Sequence, residues 1–284
     1  MKLSKLVLVL VSSMACALLL NISATVSKSA EPAQSKQEYT FAVIPQGPAS
    51  LMNENWLPFI DRLSRDTGLK LHIKLYGNMN DFEKDLIEGK VDFAYMNPVQ
   101  EIKAWHMSGY LPLVRSKKLI RGYIFVKKDT DLISLGDLEG KEIALAGSEN
   151  VCSIVIRHDL QDLNVRPLYV GSSANIYRNV ELEETDAGGT LDIVFEQDLQ
   201  KINRNFRILY STEPLSPHPI SAHPSVLQSV RNLVTETVLK YSQDIDAQDM
   251  LRRIGIQDPV KANYEQDYLP LEQKLAEHPK EKAE

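Results

Sequence analysis

The sequence predicts an α/β protein of two lobes, each with helices packed on a mainly parallel sheet. Three observations carry this prediction. Short apolar segments alternate with helical segments from residue 40 to the helix that begins at Pro98, and such alternation is typical of parallel sheets. A second set of strands and helices begins near residue 122. Extended segments join the two sets, which predicts two crossings between the lobes.

The first set of elements starts at residue 40. Its predicted members are a strand at 40–45, a helix at 51–67, a strand at 71–76, a helix from residue 80, a strand at 91–95 and a helix from residue 98. In the first helix, Phe59 and Leu63 lie on one apolar face, and Gly68 is a natural stop. Asn80, with Glu83 three residues later, resembles a capping box.

The second set repeats the alternation, and further helices follow it. Its predicted members are a strand at 122–130, a helical turn and a strand within 133–147, a helix at 150–163 and strands at 168–170, 192–195 and 206–211. The segments that follow are an extended stretch at 217–225 and helices at 226–241, 247–254 and 264–276. The run Asp186–Gly189 is predicted to be a turn near the cleft.

These sets define the predicted domains. Lobe 1 comprises residues 39–126 plus 220–284, and lobe 2 comprises residues 127–219. The chain would leave the first lobe near Val126 and return near Ile220. Ligands of such folds bind outside the carboxyl ends of the strands, here between the lobes, and hinge closure would bury them.

The N-terminus predicts export. Residues 1–30 read as a cleaved secretory signal, with two lysines before an apolar run at 6–20. Cleavage after Ala24, Ser27 or Ala30 fits the small residues there. The run is short for a membrane span, so an uncleaved anchor is the weaker alternative.

Charge and cysteine content limit the function classes. The net charge is −6 and no basic stripe is present, which argues against nucleic acid as a partner. Any anion site must therefore be local. Once the signal is removed, Cys152 is the one cysteine left, so no internal disulfide is possible. No cofactor is predicted.

Several stretches in order along the chain resemble one known family. They are FAVIPQ, EGKVDFAYMNP, GYIFVKKDTDLISLGDLEGKEIAL, VGS followed by TDAGG, PLSPHPISAHPS and RRIGIQDPVKANYEQDYLPLEQ. Together they resemble the phosphate, phosphite and phosphonate binding proteins of ABC transporters, the PhnD-like group of type 2 periplasmic binding proteins. The resemblance implies a non-enzymatic, periplasmic trap for a small oxyanion, serving a membrane permease or a membrane sensor kinase.

The resemblance also implies where the ligand binds. In the family, a phosphonate group lies at a helix N-terminus behind a Ser-Thr-Ser sequence, as expected for an anion. Here that triplet falls on Asn150, Val151 and Cys152, and Ser153 follows where the family usually has glycine.

Three further family positions are changed as well. Two family tyrosines fall on Met79 and Met96, although Tyr95 beside Met96 is an alternative cleft residue, and the family's histidine falls on Ser173. The fold therefore matches, whereas the phosphonate-binding side chains do not.

The replaced side chains indicate a softer ligand. A thiol at a helix N-terminus is expected to have a lowered pKa, and Cys and Met are soft ligands. The chain is similar to PhnD-like proteins that sense arsenite and signal to a membrane histidine kinase, which implies arsenite bound through Cys152. Copper(I) is a weaker alternative. No metal site is predicted unless arsenic is the ligand.

Other interpretations remain open. Cys152 in the run VCSIVI would equally suit the core as a small hydrophobe, and methionines are more often core fillers than ligands. The histidines show no metal spacing. A nucleophilic Cys152 would need a base, and His158 lies six residues along the same helix, so an enzyme is not predicted. A docking module that has lost its ligand is the third alternative.

Overall fold

A computed structural model describes residues 38–198 and 205–276 of the 284-residue chain. The predicted signal at 1–30 lies outside the described residues. Within the described part, no helix combines the length and the apolar character that crossing a bilayer requires.

The described residues form an α/β architecture with two mixed sheets. The strands are β1 (Glu38–Val43), β2 (Lys70–Leu75), β3 (Phe93–Tyr95), β4 (Leu111–Ser116), β5 (Gly122–Lys127), β6 (Glu142–Leu145), β7 (Arg166–Tyr169), β8 (Ala187–Leu191), β9 (Phe206–Ser211), β10 (Pro219–Ala222) and β11 (Pro259–Lys261). The helices are α1 (Ala49–Thr67), α2 (Met79–Ile87), α3 (Pro98–Ser108), α4 (Val151–Asp159), α5 (Ser173–Glu181), α6 (Asp192–Asp198), α7 (Gln228–Lys240), α8 (Ile245–Arg253), α9 (Tyr264–Asp267) and α10 (Leu269–Ala276).

The two sheets belong to two lobes, which confirms the predicted fold class. The first sheet has the order β11-β4-β10-β3-β1-β2, with β1, β2 and β3 parallel and with β10 antiparallel to both β3 and β4. The second has the order β7-β6-β8-β5-β9, with β6 parallel to β7 and β8 and with β5 antiparallel to β8 and β9.

Helix α1 shows how the apolar pattern builds the first lobe. Its buried residues recur at helical spacing and pack on the first sheet, where Trp56 and Phe59 both contact Phe41 of β1. The helix ends at Gly68, whose φ of 71° is accessible to glycine at little cost. The predicted cap of α2 is displaced by two residues: Asn78, rather than Asn80, accepts from the backbone N–H of Asp81.

Strand β8 corrects two expectations for the second lobe. The predicted strand at 192–195 is part of helix α6, and the glycines expected in a turn lie inside β8. A Cβ on Gly188 would lie 2.5 Å from Cζ of Phe125, and one on Gly189 would lie 2.5 Å from Cδ2 of Leu145. The glycines are therefore needed because neighbouring side chains lie directly against this central strand.

Two crossings, at residues 117–121 and 212–218, connect the sheets. They are paired where Ile120 and Leu215 exchange backbone hydrogen bonds of 3.0 and 2.9 Å. The chain was predicted to leave lobe 1 near Val126. It leaves before β5, because all of β5 pairs with strands of the second sheet. The remaining domain bounds stay a prediction.

Candidate functional site

A cleft of about 890 Å³ lies between the two lobes. Its first-lobe wall includes residues 44–48 of the β1–α1 loop, together with Met79, Asn97 and His218. Its second-lobe wall includes residues 146–152, 171–173 and 189–191. The cleft thus follows the carboxyl ends of β1, β3 and β6, where an α/β fold places its ligand.

Four helices begin at this cleft. Their N-cap residues Pro48, Asn97, Asn150 and Ser172 all line it. In each strand–helix unit the helix starts where its parallel strand ends. Several helix N-termini therefore lie at the same edge of the sheet. Each N-terminus carries partial positive charge and backbone N–H groups without intrahelical partners. The cleft is therefore suited to negative charge.

The caps differ in how many of these donors they use. In α3, the side chain of Asn97 accepts from Gln100 N, the side chain of Gln100 accepts from Asn97 N, and Pro98 has no N–H. In α4, Asn150 Oδ1 accepts from Cys152 N at 2.9 Å. The N–H groups of Val151 and Ser153 therefore have no partner among the described residues.

Helices α5 and α1 add further donors. Ser172 Oγ accepts from Asn175 N at 3.3 Å, which leaves the N–H groups of Ser173 and Ala174. No side chain caps α1, so the N–H groups of its first turn, starting at Ala49, are open. Both walls of the cleft consequently offer backbone donors.

The charged side chains of the cleft supply no positive charge. Among the described lining residues there is no lysine or arginine, and Glu149 is acidic and exposed. Burial lowers the pKa of His218 to about 4, so its ring is neutral at pH 7. Helix dipoles and backbone N–H groups are therefore the positive side of this site.

His218 and Gln46 form a polar pair that the sequence analysis did not assign to the cleft. Their Nε2 atoms lie 3.0 Å apart, and the His218 ring stacks on Tyr95 at 5.4 Å with an interplanar angle of 24°. The Pro217-His218-Pro219 sequence at the return crossing was the available signal. The two prolines favour an extended backbone at this position, but they do not indicate which wall of the cleft the His218 ring contacts.

Five of the eight sequence-predicted residues line the cleft: Met79, Asn150, Val151, Cys152 and Ser173. The other three do not. Met96 is fully buried in the first lobe, and Tyr95 is only 4% exposed and packs behind His218. The side chain of Ser153 is buried in the second lobe, so only its backbone N–H remains relevant to a ligand.

Cys152 differs from the expected reactive thiolate. It is 3% exposed and belongs to an apolar cluster with Ile124 and Ile156, and its Sγ lies 3.5 Å from the Cβ position of Gly122. Burial raises the pKa of this thiol, and the charge of Asp192 raises it further. The expected lowering of this pKa is therefore wrong, because burial disfavours the charged thiolate.

The thioethers do not gather around the thiol. Gln100 Nε2 donates to Met79 Sδ at 2.7 Å, which ties Met79 to the first-lobe wall, whereas Met96 is in the core. Among the residues that the structure describes, no group of three or more His, Cys, Asp or Glu side chains could hold a metal ion.

Comparison with solved structures supports the fold. PhnD1 from Prochlorococcus marinus, solved with methylphosphonate, has a TM-score of 0.73 at 14% identity over 85% of this chain and 98% of that chain. The protein XAC2383 from Xanthomonas citri, solved with ATP, has a TM-score of 0.72 at 17% identity over the same shares. A binding protein component of an ABC phosphonate transporter from Pseudomonas aeruginosa has a TM-score of 0.68 at 13% identity over 84% and 86%.

The family follows from sequence comparison. No curated protein matches the chain. The profile described as "ABC transporter, phosphonate, periplasmic substrate-binding protein" matches residues 41–268, which is more than half of the sequence. Such proteins bind substrates and are not enzymes. The chain belongs to the family of periplasmic substrate-binding proteins of phosphonate ABC transporters.

Proposed function

We propose that this protein captures a small oxyanion between its lobes and delivers it to a membrane permease. The observation that carries the proposal is that open backbone donors of α1, α4 and α5 line one cleft with no basic side chain. Oxygens of a compact anion would accept from Val151 and Ser153 on α4 and from Ser173 on α5. Closure would then add the first turn of α1.

The ligand class follows from this donor set. Backbone N–H groups recognise oxygens, and a family relative was solved with methylphosphonate. The side chains facing the donors differ from the family's, however, so the organic substituent need not be the same. Gln46 and neutral His218 offer uncharged hydrogen bonds on the first-lobe wall. We therefore propose a small phosphorus oxyanion with a small or neutral polar substituent.

The test is a thermal-shift series on the reduced mature protein with phosphate, phosphite, methylphosphonate, arsenate and arsenite. A ligand that binds only the folded state, at a hundred times its Kd, stabilises it by about 2.7 kcal/mol. A phosphorus anion should raise the Tm, and chloride at matched ionic strength serves as the control. No shift with any of the five would contradict the proposal and favour a docking module without a ligand.

An arsenite sensor that signals to a membrane histidine kinase is the second candidate. The position of Cys152 favours the arsenite sensor, because this residue is the second of α4 and lines the cleft. Bond formation would release one water from arsenous acid, with the thiol supplying the proton. The burial of this thiol and its raised pKa weigh against the reaction.

Cys152→Ser separates the two candidates. For the oxyanion receptor, the variant should keep the wild-type Kd for the phosphorus anion, because binding relies on the backbone. For the arsenite sensor, wild type should bind arsenite and the variant should lose that binding. Unchanged arsenite affinity in the variant would exclude the role of the thiol.

A further inference from the structure

We propose that helix α10 is a rear clamp, formed by Leu271, Glu272 and Lys274, that holds the rear ends of α3 and α4 together and thereby favours the open cleft. These three side chains connect the first lobe to the second at a distance from the ligand. The inference uses the proposed function only where it predicts affinity.

The clamp is anchored on α3 near that helix's C-terminus. Glu272 accepts from Tyr264 OH at 2.6 Å and lies 2.6 Å from His106 Nε2. Trp105 stacks on Tyr264 with centroids 4.1 Å apart and an interplanar angle of 8°. The C-terminal segment is thus attached to the end of α3 that points away from the cleft.

The same helix also contacts the C-terminal end of α4, in the other lobe. Lys274 Nζ lies 2.6 Å from Asp159 Oδ1, and the Asp159 side chain is only 8% exposed. Tyr210 OH donates to the other carboxylate oxygen at 2.9 Å, which holds Asp159 in the second lobe. The ion pair is therefore an inter-lobe contact in a partly desolvated position.

The pivot lies between the cleft and these contacts. Leu271 packs in one apolar cluster with Ile120 and Leu215 of the two crossings and with Val151 and Val155 of α4. At 1.5 Å per residue, Asp159 is about 12 Å beyond Val151 along α4. The crossings thus contact the front half of α4, and the ion pair lies at its rear.

This arrangement makes α3 and α4 two arms of a lever. Both helices begin at the cleft, where Asn97 and Asn150 lie on opposite walls, and both extend away from it. A rotation about the crossings that brings the N-termini together moves the rear ends apart. A rear cavity of about 350 Å³, lined by Val155, Leu271 and Lys274, shares no residue with the cleft. Further closure would therefore stretch the clamp, so the clamp opposes closure and favours the more open form.

The test measures the ligand-free conformation directly. Spin labels at Glu54→Cys on α1 and Arg178→Cys on α5, two exposed positions, report the inter-lobe distance in a Cys152→Ala background. Lys274→Met removes the charge and keeps an apolar stem, and Leu271→Ala removes the packing of α10 against Val155 of α4. Both variants should increase the closed population of the ligand-free protein, by about fivefold for an interaction worth ~1 kcal/mol.

A matched control removes an ion pair that stays within one lobe. Lys74→Met breaks the bond between Lys74 and Asp85 and should leave the distance distribution unchanged. A folded Lys274→Met protein with the wild-type distribution, or with a longer distance, would overturn the inference. If Leu271→Ala does not fold, Leu271→Met is the milder variant at that position.

Affinity provides the second measurement. With methylphosphonate as the probe, the Kd of Lys274→Met should fall by the same factor as the closed population rises. If wild type binds none of phosphate, phosphite and methylphosphonate, the proposed ligand class fails, while the ligand-free distances still test the clamp. If methylphosphonate binds and the distances do not move, only the clamp fails.

Discussion

Helices α3 and α4 begin on opposite walls of the same cleft and use their first turns differently. In α3, Pro98 has no N–H, and reciprocal side-chain bonds between Asn97 and Gln100 occupy two further donors. In α4, one bond from Cys152 N to Asn150 leaves neighbouring donors open. Equivalent topological positions therefore use their backbone donors for capping in one lobe and leave them open to the cleft in the other.

Helices α3 and α4 can also be compared by the titratable group that each of them buries. Each buries a titratable group in its first turn or just after it: Glu101 in α3 and Cys152 in α4. Burial raises the pKa of both groups. Both are consequently uncharged at mildly acidic pH, and Glu101 is the group whose charge changes within the pH range of an unfolding experiment.

The largest expected effect is on the stability of α3. Glu101 is fully buried, its Oε2 accepts from Ser221 Oγ at 2.6 Å, and its Oε1 has no partner among the described residues. Desolvation raises the pKa of this carboxyl to about 8, although the Ser221 bond acts in the opposite direction. Because the folded pKa lies above the unfolded value, folding stability falls as pH rises from about 4.5 to 8.

Glu101→Gln should remove this pH dependence. At pH 5 the variant and wild type should unfold with similar free energies, whereas at pH 9 the variant should be more stable by about 4 kcal/mol. Urea unfolding at the two pH values measures this. A difference between the proteins that does not change with pH would contradict the assignment. Anion affinity at pH 5 should stay the same, because α3 is not part of the open donor set.

The second-largest expected effect is a loss of anion affinity without a loss of folding stability, in the variant Asn150→Asp. Asn150→Asp keeps a good N-cap but places a carboxylate beside the open donors of α4. Repulsion should weaken the binding of a phosphorus anion by about 2 kcal/mol, roughly thirtyfold. Isothermal titration calorimetry measures the Kd, and urea unfolding checks that stability is maintained.

A cap far from the cleft provides the control for Asn150→Asp. The side chain of Asn263 accepts from Gln266 N at the start of α9, and Asn263 does not line the cleft. Asn263→Asp should leave the anion Kd unchanged. Equal affinities in wild type and Asn150→Asp would show that the anion does not lie at α4.

The sequence predicted elements with a regular apolar spacing, but it did not predict short strands that contain glycine or proline. The apolar spacing of α1 and the strands β1 to β3 could be predicted, because their side chains repeat with the period of the element. Strand β8 was missed because Gly188 and Gly189 resemble a turn, and only the contacts of Phe125 and Leu145 explain them. Strands β4 and β11 were missed as well, since Pro112 and Pro259 lie within these short segments.

The site was predictable only in part, for a physical reason. The resemblance to the phosphonate-binding family assigned Asn150 and Ser173 to the cleft, and both line it. The Gln46–His218 pair joins residues 172 positions apart, and no local pattern encodes that contact. The pKa of Cys152 was misjudged because a helix N-terminus is visible in sequence, whereas burial is a property of the packed lobe.

The smallest effect tests whether the cap of α3 is purely structural. Asn97→Ala removes the acceptor for Gln100 N, and should reduce the free energy of unfolding by about 1 kcal/mol. Because Pro98 and the rest of α3 offer the anion few donors, the Kd for the phosphorus anion should stay within about twofold of wild type. Stability from urea unfolding and affinity from calorimetry can be compared on one preparation. A weakened Kd at unchanged stability would mean that Asn97 itself contacts the ligand, and the two walls would then contribute more equally than their capping indicates.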